Sequence, residues 1–162
     1  MADIADLKRE FWRRLEDQTA GMMGVEGTQM HMRPMTPYVD PEKNSVWFLC
    51  APDNQLAQAE DTGKAHFTMQ SPDEKFYACV SGRLDVSRDE KKLGELWNIF
   101  ASAFFEGGPD DSDAILLEFK VEEAEVWTVE AGGMQFAAEI ARSAFGDKDH
   151  PDLGTHEVIR LN

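Results

Sequence analysis

The segment His31-Met32-Arg33-Pro34-Met35-Thr36 sets one cation among soft and polar side chains in a stretch that proline keeps irregular. A second segment, Ala51-Pro52-Asp53-Asn54, is a turn just ahead of a helix start. A helix N-terminus offers unpaired N–H groups and the positive end of the peptide dipole, so the two segments together suit an anionic ligand group. The simpler alternatives are that Arg33 is a surface charge and that Asn54 only caps the helix. Other chemistries are poorly served. Neither phosphate-cradling pattern, G-x-G-x-x-G or G-x-x-x-x-G-K-[ST], occurs. His31, His66, His150 and His156 lack the spacing of a helical zinc pair, and neither Cys50 nor Cys79 has a Cys or His within four positions, so no metal site is expected. Asp110-Asp111-Ser112-Asp113 lacks the Gly and the late Glu of a calcium loop and reads as a solvated turn. Ser81-Gly82 continues into a strand pattern instead of a nucleophile elbow, and Glu122, Glu123 and Glu125 read as a charged turn between two strands. No catalytic side chain is assigned.

Composition narrows the partners. There are 16 Lys and Arg against 31 Asp and Glu, a net charge of −15. Binding nucleic acid requires cations matched to phosphates, and this chain has no basic cluster to supply them; an anionic membrane surface is disfavoured on the same ground. With 162 residues and 42% apolar side chains the chain reads as one globular domain. No window approaches the ~20 apolar residues of a spanning helix, and Asp3 and Asp6 open an amphipathic stretch unlike a secretory signal, so a cytoplasmic location is expected. Cys50 and Cys79, each in an apolar run, read as buried reduced thiols.

The elements that must carry these residues follow from periodicity. Ile4, Leu7, Phe11 and Leu15 mark an amphipathic helix between Asp3 and Thr19. Met22 to Val25 is a strand turning at Glu26-Gly27 into an extended run from Gln29 to Tyr38, which Pro34 and Pro37 confine to a sheet edge or a bulge. Val46 to Ala51 is apolar throughout and predicts the central strand. A short helix capped by Asp53 or Asn54 reaches about Thr62, and alternation predicts strands over 65–70 and 76–86. A helix starting near Ser87-Arg88-Asp89-Glu90 carries Leu93, Leu96, Trp97, Phe100 and Phe104, a stripe read as core or dimer contact. Strands over 114–121 and 124–129, a weaker helix over 134–145 and a loosely docked polar tail complete the chain, dividing it at about residue 130. Consecutive strands argue for an antiparallel sheet or barrel with helices at its ends.

Several motifs then stand in register: Phe11-Trp12, Arg33-Pro34-Met35, Val46-Trp47-Phe48 with Asp53-Asn54, Val80-Ser81-Gly82, Leu96-Trp97-Asn98, Glu106-Gly107-Gly108-Pro109-Asp110-Asp111 and Ala124-Glu125-Val126-Trp127. Over about Ile4 to Trp127 the chain resembles the general-stress-protein branch of the pyridoxamine 5'-phosphate oxidase-like, FMN-binding split barrels. The resemblance implies a mainly β fold with flanking helices, a six-stranded antiparallel split β-barrel, and a homodimer holding FMN in a groove at its interface. It implies that Arg33 lies beside the flavin, that Pro34, Met35 and Thr36 face the ring, and that Leu49 and Cys50 end the strand contacting the ribityl-phosphate arm. Asn54, Gln55 and Leu56 fall at the phosphate grip, Tyr77 near a polar position of the fifth strand, and Trp127 at a tryptophan lent by the partner subunit.

The chain departs from that family at the phosphate grip, where Gln55 and Leu56 stand at positions that commonly end in a Lys. Losing one phosphate cation costs about 1–3 kcal/mol, a factor of about 10–100 in affinity. Lys64 and Arg83 are the candidates to compensate. The tail beyond Trp127 also lacks the Arg-x-His-x-Arg-like cluster of true pyridoxamine phosphate oxidases. The expectation is an FMN-binding general-stress-type protein, a possible oxidoreductase on an unknown small molecule; the alternative is a flavin-free split-barrel dimer acting as a ligand- or protein-binding module.

Overall fold

The structure, a computed structural model, describes residues 3–58, 63–97, 113–129, 138, 140–142, 144 and 154–161. Helix α1 (Ile4–Glu16) starts where the Asp3 carboxylate accepts from the Ala5 N–H at 3.1 Å, and it buries Leu7, Phe11 and Leu15. Ile4, expected on the same apolar stripe, stays 43% exposed in the first turn. Eight strands follow, β1 (Gly21–Val25), β2 (Arg33–Met35), β3 (Tyr38–Asp40), β4 (Ser45–Cys50), β5 (Lys64–Gln70), β6 (Phe76–Ser87), β7 (Ile115–Thr128) and β8 (His156–Arg160). The short helix α2 (Gln55–Gln58) lies between β4 and β5, and α3 (Glu90–Leu96) follows β6. The Asp89 carboxylate caps α3 by accepting from the Lys92 N–H at 3.0 Å.

All strand pairs are antiparallel, in the order β2-β1-β5-β6-β7-β4-β3, with β8 added beside β7. The sheet curls into a half-barrel whose first strand, β2, comes back against β4. Phe48, Phe67 and Phe119 pack inside it, with Phe48 at 5.4 and 6.5 Å from the other two ring centroids. This is the antiparallel split barrel expected from the sequence, with eight strands in place of six. The Pro-bearing run is divided into β2 and β3, the two edges of the order, where the missing proline N–H breaks no ladder.

Three expectations are corrected. The middle of the sheet is β6, not β4; β4 is next to an edge, and its continuous apolar pattern reflects burial on both faces, with the Lys92 ammonium 5.3 Å from the Trp47 ring centroid on the outer side. The two strands expected around a charged turn at Glu122-Glu123 are one 14-residue strand, β7. Val121 and Ala124 both face inward although three residues apart, which breaks the period of two. A β-bulge absorbs the extra residue, since Ser81 pairs with Glu123 while Gly82 pairs with Val121. Gly82 is required there, because a Cβ would run into the Lys120 carbonyl. The tail, expected to be loosely docked, forms β8: Ile159 and Leu161 enter the core, and the Leu161 N–H donates to the bulged Glu122 carbonyl at 2.9 Å. Phe100 and Phe104 lie outside the described residues, as does most of the expected helix over 134–145, of which positions 138, 140–142 and 144 are helical.

Candidate functional site

Register decides which side of the sheet each predicted residue occupies. Pro34 pairs with Met22, and Arg33 pairs with the fully buried Met23. Successive residues point to opposite faces, so Pro34 stands on the outer face while Arg33 and the buried Met35 turn inward. The predicted residues therefore fall into two neighbouring groups on either side of edge strand β2.

The outer group forms an open groove of about 450 Å³, lined by Pro34, Gly21 and Met22 of β1, Thr68 and Gln70 of β5, and Tyr77 of β6. Its size lies within the range of ordinary small-molecule sites. The lining mixes apolar surface with a hydroxyl, an amide and a phenol. Tyr77 pairs with Gln70 on one side and with Trp127 on the other, so Trp127 extends the same row beyond the groove. Trp127 is 37% exposed, and its ring stacks on His156 of β8 at 5.0 Å between centroids with planes 2° apart.

The inner group gathers at the barrel seam. The Arg33 Nη2 donates to the Gln55 Oε1 at 2.6 Å, while its Nε is buried without a hydrogen-bond partner. Asn54 acts as a cap, accepting from the Leu56 N–H at 3.0 Å. Leu56 is 1% exposed and belongs to the core. Cys50 is buried too, and desolvation, reinforced by the nearby Asp53 carboxylate, pushes its thiol up to about 12. The ladder places Leu49, half-buried, on the side of β4 opposite Cys50. Thr36, which follows β2, is exposed.

Lys64 and Arg83 do not reach either group. They pair with each other at the far end of β5 and β6, roughly 20 Å along the strand from Gln70. Arg83 is engaged with Asp85 at 3.3 Å. The sequence reading missed Gly21, Met22, Thr68 and Gln70. The alternation that sends Ala65, Phe67 and Met69 inward carries the signal for the last two, because it sends His66, Thr68 and Gln70 outward as a set. Among the described residues no group of three His, Cys, Asp or Glu side chains is arranged to hold a metal ion, and no helix is long and apolar enough to cross a membrane.

The model of the family described as pyridoxamine 5'-phosphate oxidase like matches residues 6–152. No curated protein matches the chain. Among solved structures, a protein assigned as general stress protein 26 from Jannaschia sp. CCS1 is 37% identical, covers 96% of this chain and 99% of its own, and superposes with a TM-score of 0.75. A general stress family protein from Xanthomonas campestris pv. campestris is 29% identical over 82% of this chain and 93% of that one, with a TM-score of 0.73. The general stress FMN/FAD binding protein from Xanthomonas citri is 27% identical over 79% and 92%, with a TM-score of 0.70. By the extent of the match and by the barrel that carries it, the chain belongs to the pyridoxamine 5'-phosphate oxidase-like family.

Proposed function

We propose that this protein binds a flavin, FMN, at the groove beside β2, as a cytoplasmic homodimer of the general-stress type. The observation that carries the reading is the buried, unpartnered Nε of Arg33 at the seam next to the groove. A guanidinium donor removed from water without an acceptor is costly, and an anionic group arriving there would supply one. The FMN/FAD binding of the Xanthomonas citri relative supports the same ligand class.

The residues present fit a flavin in part. Arg33 would meet the phosphate, with Gln55 fixing its other nitrogen. Pro34, Thr68, Gln70 and Tyr77 would border the ring, apolar surface covering its face and polar groups meeting its edge. Trp127, exposed on the same face as Met22 and Val158, would pack against a partner subunit. A bound flavin supplies hydride or electron acceptance, and the chain's part is to hold the ring and exclude water. Oxidation of an unidentified small molecule is the reaction class this arrangement would serve.

Leu56 favours a second reading. Its side chain is committed to the core, leaving the seam one cation short for a phosphate, with Asp53 close by. A flavin-free dimer binding another ligand in the groove would need no such cation. Titration of FMN, followed by quenching of its fluorescence, separates the two. For the flavin reading, Arg33→Ala weakens binding about tenfold or more, whereas Arg83→Ala changes it little. Equal affinities for the two variants would remove Arg33 from the site.

A further inference from the structure

No charged side chain lines the groove, so whatever part of a ligand lies in it is selected for neutral polarity and shape. The polar members of the lining are the Thr68 hydroxyl, the Gln70 carboxamide and the Tyr77 phenol. Among the described residues, none of these side chains has a hydrogen-bond partner within the protein. Thr68 and Tyr77 are half-buried, and Gln70 is exposed at the mouth.

Their placement is set by the hairpin that joins β5 to β6. Gln70 and Tyr77 are cross-strand partners, and Thr68 shares the face of Gln70 roughly 7 Å earlier along β5. The turn beyond them is fixed from inside. The Ser71 N–H donates to the Phe76 carbonyl at 2.8 Å, and the Phe76 N–H donates to the buried Ser71 Oγ at 3.0 Å. The Asp73 carboxylate in that turn accepts from the Ser71 hydroxyl, the Arg14 guanidinium and the Lys75 N–H, which engages it away from Gln70. A side chain carried on such a frame binds without the cost of ordering the backbone beneath it.

Of the three polar groups only Gln70 presents a donor and an acceptor side by side on one plane; a hydroxyl or a phenol has a single O–H to give. The complement of a planar amide is a planar edge with N–H and C=O adjacent, as in a cyclic imide. The pyrimidine end of a flavin ring has such an edge, an N–H between two carbonyls. We propose that Gln70 is the specificity-determining residue of the groove and reads that imide edge, its Oε1 accepting from the ring N–H and its Nε2 donating to a neighbouring carbonyl. The inference rests on the flavin reading and adds to it which edge of the ring turns toward the β5–β6 hairpin. Arg33, on the inner side of β2, takes no part in this contact, so the ring and the phosphate are recognised separately. A site built to accept from an N–H rejects an analogue that lacks it, because the acceptor then loses its water without gaining a bond.

The test compares FMN with its N3-methyl analogue in fluorescence titrations of the intact wild-type protein, Gln70→Leu and Gln70→Glu. Methylation removes the N–H and leaves the phosphate and the charge as they are. Wild type is expected to bind FMN at least about tenfold more tightly than the analogue. Gln70→Leu should bring the two affinities nearly level, chiefly by weakening FMN, whereas Gln70→Glu, which keeps an acceptor, should retain the preference. The readout is a ratio within one protein, which a general loss of packing does not move, and the wild-type comparison stands without any variant. Equal binding of the two flavins by wild type would overturn the inference and leave the flavin reading in place. A preference in Gln70→Leu as large as in wild type would also overturn it, assigning the discrimination to another group. If wild type binds neither, the flavin reading falls and this inference falls with it.

Discussion

On the inner face of β6, Ala78, Val80 and Leu84 are sealed among aromatic rings, while one residue away on the outer face Tyr77, Cys79 and Ser81 stand half exposed beside a groove and a polar row. The same strand serves both, because a period of two lets alternate side chains answer to different demands. Inward positions are constrained by volume, since interiors are packed like organic crystals. Outward positions are constrained only by what they meet, which leaves them free to carry a phenol, a thiol or an imidazole. Along β6, apolar packing and polar side chains are divided between faces, not between segments of the chain.

Substitutions on the inner face should break that division most severely. Phe119→Ala removes a fully buried ring packed against Phe48 and should cost about 3–5 kcal/mol in urea unfolding. Gly82→Ala should cost about 1–3 kcal/mol, because the new Cβ meets the Lys120 backbone at the bulge, where nothing flexible can yield. A loss from either one as small as that of an exposed surface substitution would refute the packing half of the contrast.

A smaller effect is expected where α1 meets the β5–β6 turn. The Arg14 guanidinium pairs with Asp73 and with Glu10, both at 2.7 Å, and lies 5.8 Å from the Phe76 ring centroid. The Ser71 hydroxyl, then Arg14 and then the Lys75 N–H hold the Asp73 carboxyl well below the usual carboxylate range. A depressed carboxyl contributes stability that is complete above its unfolded-state pKa and is lost as pH falls through the folded-state value. Arg14→Met should therefore lower Tm by about 2–4 °C at neutral pH and make the acid loss of stability shallower below pH ~4. A parallel downward shift at every pH would show that the ion pair carries no such linkage. The smallest change is a gain. Gly94 lies in α3 with open space where a Cβ would go, so Gly94→Ala should stabilise by about 0.5–1 kcal/mol, read as a higher urea midpoint.

The sequence makes visible the parts of the fold whose pattern is unbroken. Helix α1, with Leu7, Phe11 and Leu15 at helical spacing, and strands β5 and β6, with strict alternation, stand within a few residues of expectation. Strand β7 was not legible as one element, because the bulge shifts the inward set from Val121 to Ala124 and the intervening acidic pair imitates a turn. Strand β8 was hidden by a polar composition in which Ile159 and Leu161 alone seek the core. At the site, residue types pointed to Arg33 and the motif order pointed to the family. Which of Arg33 and Pro34 faces inward depends on the register of β1 with β2, which no local pattern states.

The flavin reading is the claim on which the account of the groove turns, and an FMN titration of the purified wild-type protein tests it most directly. The account predicts saturable quenching of flavin fluorescence at micromolar or tighter affinity. Fluorescence that stays unquenched at high micromolar FMN would contradict it, leaving the barrel as a fold and the groove for a ligand of another class.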